Sequence, residues 1–213
     1  MTPPRPNSEN QIAGFVLAGG RSSRMGRDKA FLEIAGLPLV SRAARLLEPL
    51  AGPITMIGPP ELLVPHGLAA HADVYPETGP LGGIASALMH ANRPWSLIIA
   101  CDMPYLSREW LEYLMGRALA SSGDVVLPES AYSGKPQPEP LCALYHQRAC
   151  APIRAALERG VRKVMDGLAG LHIERVSPND SKSFDTEGVL FQNLNTMEDY
   201  ESARARLEKI EED

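Results

Sequence analysis

Cysteine is scarce in this 213-residue chain: Cys101, Cys142 and Cys150 are odd in number and none sits at a metal-ligand spacing. That excludes a disulfide framework and a cysteine zinc site, and fits reduced thiols in a cytoplasm. Histidine is equally thin. His66, His71, His90, His146 and His172 are scattered, none pairs at zinc spacing, and none is assigned a catalytic role. No apolar stretch approaches the ~20 residues that span a bilayer, so no membrane partner is expected. Residues 1–10 lack an apolar h-region, which excludes a signal peptide, and they are expected to form a disordered tail. The net charge of −5 argues against nucleic acid or an anionic lipid surface as partner. No Gly-x-Ser-x-Gly elbow is present, so a serine hydrolase is not supported.

Against that background one stretch stands out. The apolar run Ile12 to Ala18 reads as the first strand of a buried sheet. Gly19, Gly20 and Gly26 then free the backbone, and Arg21, Arg24, Arg27 and Lys29 against Asp28 give a local balance of +3. A flexible, cationic loop leaving a buried strand suits a polyphosphate: glycine lets N–H groups approach, and the side chains neutralise the oxygens. It is not a Walker loop, because Arg27-Asp28 follows Gly26 where Lys-Ser/Thr is required. Nor is it the dinucleotide fingerprint, because Gly19 and Gly20 are adjacent, so a dinucleotide oxidoreductase ranks last. The plain alternative is a glycine-rich turn with solvated arginines.

The length suits one globular domain burying roughly 70% of its unfolded surface. Apolar content of 44% and charge of 22% are ordinary for a soluble protein. Apolar runs alternate with helical patterns, which indicates an α/β sheet with helices on both faces. Strands are expected at residues 53–58, 71–74, 95–101, 124–128, 141–145 and 173–176. Helices are expected at 38–50, 81–91, 108–120 (capped by Ser107), 149–159, in a short piece after Met165, and at 196–210. Residues 130–140 read as a loop, and 178–188 as a polar, mobile one. One domain over residues 11–210 is expected, with the nucleotide on the first half to about residue 105 and the second substrate met mainly by the second half.

The opening string, L-A-G-G-x-S-x-R-M-G-x-D-K-x-x-L from Leu17 to Leu32, resembles that of nucleotidyltransferases similar to molybdenum cofactor guanylyltransferase. Three further segments resemble the same family: Asp73 to Ile84, Ile98 to Leu106, and Phe191 to Asp199 with its N-x-N-T-x-x-[DE] pattern. The opening motif alone is shared with sugar-nucleotide and cytidylyl transferases; the double glycine after Ala18 favours the guanylyl branch. The resemblance implies a mostly parallel, Rossmann-like sheet of the nucleotide-diphospho-sugar transferase type. It also implies a cytoplasmic enzyme that moves GMP from Mg-GTP to the phosphate of molybdopterin or its molybdenum-loaded form, with transient contact to molybdoenzyme maturation proteins.

Asp102 ends the most apolar strand, at the sheet edge where open α/β folds bind ligands, and is the candidate Mg²⁺ ligand. Its alternative is a turn cap for Met103-Pro104. Lys29 and Arg24 are the catalytic candidates for the β- and γ-phosphates and the departing pyrophosphate; Arg21 and Arg27 are weaker. Leu17, Ala18, Gly19 and Gly20 offer backbone groups, and Asp28 reads as a brace for Lys29 or Arg24. In the family an aspartate at the position of Asp73 binds GTP, and guanine's N1–H and N2–H₂ donors call for acceptors. Gly79 to Gly83 allows close approach of base or sugar, or is a plain turn before a helix. Asn193 and Asn195 resemble the family's asparagines and are acceptor-site candidates, as are Arg162 and Lys163; a helix cap by Asn195 or Thr196 and a plain charge pair are the alternatives. A transferase with another nucleotide or phosphorylated acceptor, and a non-catalytic GTP-binding carrier, remain as rival readings.

Overall fold

The computed structural model describes residues 11–19, 29–131 and 135–212. The expected 1–10 tail, and Gly20, Arg21, Arg24, Arg27 and Asp28 of the cationic loop, lie outside the described residues.

Strand β1 (Ile12–Leu17) is buried at every position. Successive side chains point to opposite faces. Ile12 and Val16 join one apolar core, while Ala13, Phe15 and Leu17 join the other. A strand apolar on both sides belongs inside a sheet covered on both faces. After a 3₁₀ turn at Lys29–Phe31, β2 (Glu33–Ile34) and β3 (Leu37–Pro38) form a small antiparallel hairpin. Its turn runs through Ala35 and Gly36, both at positive φ (51° and 71°), the requirement of a type I′ turn. Two-residue strands carry no periodicity, so the sequence pattern does not predict this hairpin.

The chain continues through α1 (Leu39–Leu47), β4 (Ile54–Ile57), α2 (Pro60–Leu63), β5 (Ala70–His71), α3 (Pro80–His90), β6 (Trp95–Ala100) and α4 (Arg108–Ala120). Then come β7 (Val125–Ser130), β8 (Gln137–Pro138), β9 (Cys142–His146), α5 (Cys150–Glu158), α6 (Val164–Gly167), β10 (Ile173–Val176), α7 (Pro178–Ser181) and α8 (Met197–Glu212). The strand order is β10-β7-β9-β6-β1-β4-β5, with β8 attached to β7. Strands β5, β4, β1 and β6 pair in parallel, and β10 pairs in parallel with β7. Within this sheet only β9 and short β8 run against their neighbours among the described strands. The architecture is the expected mixed α/β domain with a mostly parallel sheet.

Helices α1 and α4 cover one face through Val40, Ala44, Leu47, Trp110, Leu111 and Leu114. Helices α3 and α5 cover the other through Leu81, Ile84, Leu88, Ile153 and Leu157. A third, smaller cluster seats α8 on the hairpin: Ile34 and Leu39 meet Leu194, Tyr200 and Ala203. The Tyr200 hydroxyl donates to the Glu33 carbonyl at 2.6 Å, which fixes the end of the chain against its beginning. No helix of the described residues is long and apolar enough to cross a membrane.

Several expectations need correction. The third strand is Ala70–His71 and stops short of Asp73, whose carboxylate leaves the ladder to serve a turn. The 130–140 loop contains β8. The polar 178–188 stretch holds helical turn α7, closed by a Ser177–Asp180 capping box, and Phe184 packs on Trp110 with ring centroids 5.5 Å apart. One aromatic in a polar run anchors it where composition gave no sign. Ser107 does cap α4, its hydroxyl accepting from Trp110 N at 3.3 Å.

Glycine is required where α3 enters the core. A Cβ on Gly82 would lie 2.0 Å from Thr78 Oγ1 and 2.6 Å from the Tyr75 carbonyl oxygen. Gly82→Ala is expected to cost about 1–3 kcal/mol through overpacking; urea unfolding with an unchanged midpoint would contradict this packing.

Candidate active site

Strands β1 and β6 pair in register from Ile12 opposite Trp95 to Leu17 opposite Ala100, so both leave the sheet at the same level. From β1 the chain proceeds to β4 and β5 on one side, then crosses back to β6 on the other. That reversal is a topological switch point, where open α/β sheets bind ligands beyond the carboxyl ends of their strands. A cleft of about 300 Å³ lies there. Its floor is Leu17, Ala18 and Gly19 after β1 and Ala100, Cys101 and Asp102 after β6. Cys101 N donates to the Leu17 carbonyl at 3.2 Å and Ala18 N to the Ile57 carbonyl at 2.9 Å, which locks the exits together. A Cβ on Gly19 would come no nearer than 3.8 Å to Ile57 O, so protein packing does not demand glycine there.

Lys29 and Asp102, 73 residues apart in sequence, meet in this cleft: Lys29 Nζ donates to Asp102 Oδ2 at 2.6 Å. The side chains are 14% and 25% exposed, so the pair is only partly screened by water. The sequence offers Asp28 as the brace for Lys29; the carboxylate found on Lys29 is that of Asp102, and Asp28 is outside the described residues. The Asp102 carbonyl accepts from Leu194 N at 3.0 Å, a contact that draws residues 193–195 to the cleft's edge.

Asp73 lines the cleft from the opposite side, with Gly79, Pro80 and Gly83. One of its oxygens is committed: Oδ1 accepts from Ser86 Oγ at 2.7 Å and from Tyr75 N at 2.9 Å. Ser86 is fully buried on α3 and also accepts from Val74 N at 2.9 Å. Oδ2 has no protein partner among the described residues. Beyond Asp73 and Gly79 a second hollow of about 720 Å³ opens against Pro59, Glu61 and Pro76.

The acceptor candidates separate. Thr196 caps α8: its hydroxyl accepts from Asp199 N at 3.1 Å, while Asp199 Oδ2 accepts from Thr196 N at 2.7 Å and Asn195 N at 2.9 Å. The Thr196 hydroxyl and these amides hold the Asp199 carboxyl below its usual range, and the charge of Lys29 adds to the effect. Asn193 Nδ2 faces the Phe191 carbonyl at 3.5 Å, and Asn195 is exposed. Both flank Asp102 through Leu194 without lining the cleft. Arg162 is not brought there. Its guanidinium donates to the carbonyls of Leu157 (3.2 Å) and Val161 (2.9 Å), closing the end of α5 as a cation does at a helix C-terminus. Lys163 is exposed at the start of α6. Sequence reasoning missed Ser86 and Leu141. Leu141 lines the cleft because antiparallel β9 begins beside the end of β6, with Ala100 N donating to its carbonyl at 2.9 Å.

Among the described residues no three His, Cys, Asp or Glu side chains cluster as a metal cage. A single carboxylate is nevertheless what Mg²⁺ uses when phosphates and water complete its shell. Asp102 fits a metal that arrives with a nucleotide.

Comparison with known proteins agrees with this geometry. A family model described as "MobA-like NTP transferase domain" matches residues 14–175. A protein of Chloroflexus aggregans named as a probable molybdenum cofactor guanylyltransferase is 33% identical over 204 residues, covering 92% of this chain and 95% of that protein. One of the same name from Pelotomaculum thermopropionicum is 33% identical over 199 residues, covering 93% and 94%. The solved molybdopterin-guanine dinucleotide biosynthesis protein A of Archaeoglobus fulgidus superposes with a TM-score of 0.80 at 26% identity, covering 92% of this chain and 99% of that one. The 2-C-methyl-D-erythritol 4-phosphate cytidylyltransferase of Thermus thermophilus shares the fold at a TM-score of 0.68 and 18% identity, over 92% and 98% of the two chains. Fold and cleft thus define a nucleotidyltransferase. Within that class the chain belongs to the MobA-like NTP transferase family.

Ser86→Ala removes a buried hydroxyl that serves two partners. It is expected to lower stability by about 1–2 kcal/mol; a melting temperature equal to that of the unaltered protein would show that Asp73 is held by other means.

Proposed function

We propose that this enzyme transfers GMP from Mg-GTP to the terminal phosphate of molybdopterin, metal-free or molybdenum-loaded, releasing pyrophosphate. The observation that carries the reading is the meeting of Lys29 and Asp102 at the β1–β6 edge. The curated relatives from Chloroflexus and Pelotomaculum supply the acceptor and the base.

In the reaction an acceptor phosphate oxygen forms a bond to the α-phosphorus of GTP, and the bond from that phosphorus to the β-bridging oxygen breaks. The nucleophile is already ionised near neutral pH, so no strong general base is needed. The chain's task is to align the reactants and neutralise charge. Residues Leu17 to Gly19 present backbone groups to the nucleotide, with Gly20 continuing that backbone. Lys29 and Arg24 receive charge on the β- and γ-phosphates as pyrophosphate departs. Asp102 would hold Mg²⁺ arriving with the nucleotide, and the ion would supply charge neutralisation at the phosphates. Asp73, braced by Ser86, supplies an acceptor on the nucleoside side of the cleft. Asn193 and Asn195 stand beside Asp102 for the incoming acceptor. In this division the first half of the chain serves GTP, and the segment after residue 190 serves the acceptor.

Purified protein incubated with each Mg-NTP and molybdopterin is expected to release pyrophosphate and yield the guanine dinucleotide mass only with GTP. Product with another base or phosphorylated acceptor would reassign the substrate, and GTP binding with no pyrophosphate would mark a carrier. Asp102→Ala is expected to abolish Mg-dependent turnover with the fold intact by circular dichroism. Lys29→Ala is expected to lower kcat/KM for GTP by about 100-fold, the loss of one preorganised charge; unchanged kinetics would remove either residue from the mechanism.

A further inference from the structure

The Lys29–Asp102 contact raises a question that the reaction alone does not answer. Both residues are wanted by the incoming ligands in the reaction proposed above, yet they hold each other, Nζ to Oδ2 at 2.6 Å. Asp102 belongs to no cluster of three His, Cys, Asp or Glu side chains that could cage an ion, among the described residues. Asp199, which also feels the charge of Lys29, has Oδ2 committed to the amides of Asn195 and Thr196 at the start of α8. A divalent ion arriving alone at Asp102 meets a carboxylate that already carries an ammonium; Asp73, across the cleft, has one oxygen committed to Ser86 and Tyr75 N. A triphosphate changes the balance: its oxygens attract Lys29 and at the same time provide the missing metal ligands.

Resting on the nucleotidyltransferase reading of this cleft, we propose that Lys29 is the resident counter-ion of Asp102, so that divalent metal is admitted only together with the triphosphate. Lys29 thus has two stations, on Asp102 in the free enzyme and on the phosphates in the complex. The exchange keeps the acid neutralised at both stages, and free Mg²⁺ does not occupy the site ahead of its nucleotide.

The test is Mn²⁺ titration of nucleotide-free protein, monitored by electron paramagnetic resonance and calorimetry, for the unaltered chain, Lys29→Met, Lys29→Gln and Asp102→Asn. An opposite charge in contact alters a carboxylate's affinity for a competing cation by about 10- to 1,000-fold, on the scale of proton affinities. The partial exposure of this pair points to the lower end. Lys29→Met and Lys29→Gln are each expected to bind Mn²⁺ about tenfold tighter than the unaltered chain. Adding Asp102→Asn to either is expected to abolish that gain. The non-hydrolysable α,β-methylene analogue of GTP is expected to restore tight Mn²⁺ binding to the unaltered chain. Equal Mn²⁺ affinity with and without Lys29, or tight binding that survives Asp102→Asn, overturns the proposal. The nucleotide-free measurement involves neither base nor acceptor, so its failure is distinguishable from a wrong substrate assignment. Melting temperatures identify a variant that has lost its fold, and two uncharged replacements of different polarity keep one available.

Discussion

The parallel pairing of β1 with β6 is the constraint that organises the site. Six residues of each strand run in register, Ile12 to Leu17 against Trp95 to Ala100. Two strands that end at one level, side by side and pointing the same way, must deliver their next residues to one place. Strand β1 runs into Ala18-Gly19, and Lys29, where the described chain resumes, lines the same cleft; β6 runs into Cys101-Asp102. The cationic and anionic halves of the site therefore meet through sheet geometry, and the hydrogen bond from Cys101 N to the Leu17 carbonyl ties their exits. A register slip by one residue would turn every side chain to the other face and separate them.

In the reaction we propose, the protein mainly positions and neutralises, because the substrate brings its own charge and most of its own metal ligands. The antiparallel insertion of β9 closes the cleft at Leu141, and α8, capped by Thr196 and seated on the β2–β3 hairpin, carries residues 193–195 to the remaining side. In the function we propose, the acceptor side is assembled from residues 193–195 on a layer separate from the sheet, so the nucleotide and acceptor rest on different packing surfaces.

Much of this is legible in the sequence, for physical reasons. Buried parallel strands are long apolar runs, so β1 and β6 are plain, and a charge placed directly after such a run has only the sheet edge to occupy. Asp102 is identified that way and Lys29 from the cationic, glycine-rich stretch after β1, but their direct contact is not, because pairing across 73 residues leaves no local trace. Ser86 is hidden for a related reason: a small polar residue inside an apolar helix looks like filler until the loop beneath it is seen. Arg162 misleads in the opposite sense. Its charge next to a helix start suggests an anion site, whereas the carbonyls of Leu157, in the last turn of α5, and of Val161 just beyond it hold its guanidinium. The β2–β3 hairpin and α7 are too short for periodicity, and their stability comes from Tyr200 and Phe184 packing from far along the chain.

If one triphosphate–metal complex bridges the two strand exits, a crystal structure with the α,β-methylene analogue of GTP and Mn²⁺, the metal located by anomalous scattering, will show it. The metal is expected on Asp102, the phosphates across Leu17 to Gly19 with Lys29 drawn onto them, and the base beside Asp73. A nucleotide seated away from both strand exits, or a metal with no contact to Asp102, would contradict the bridge.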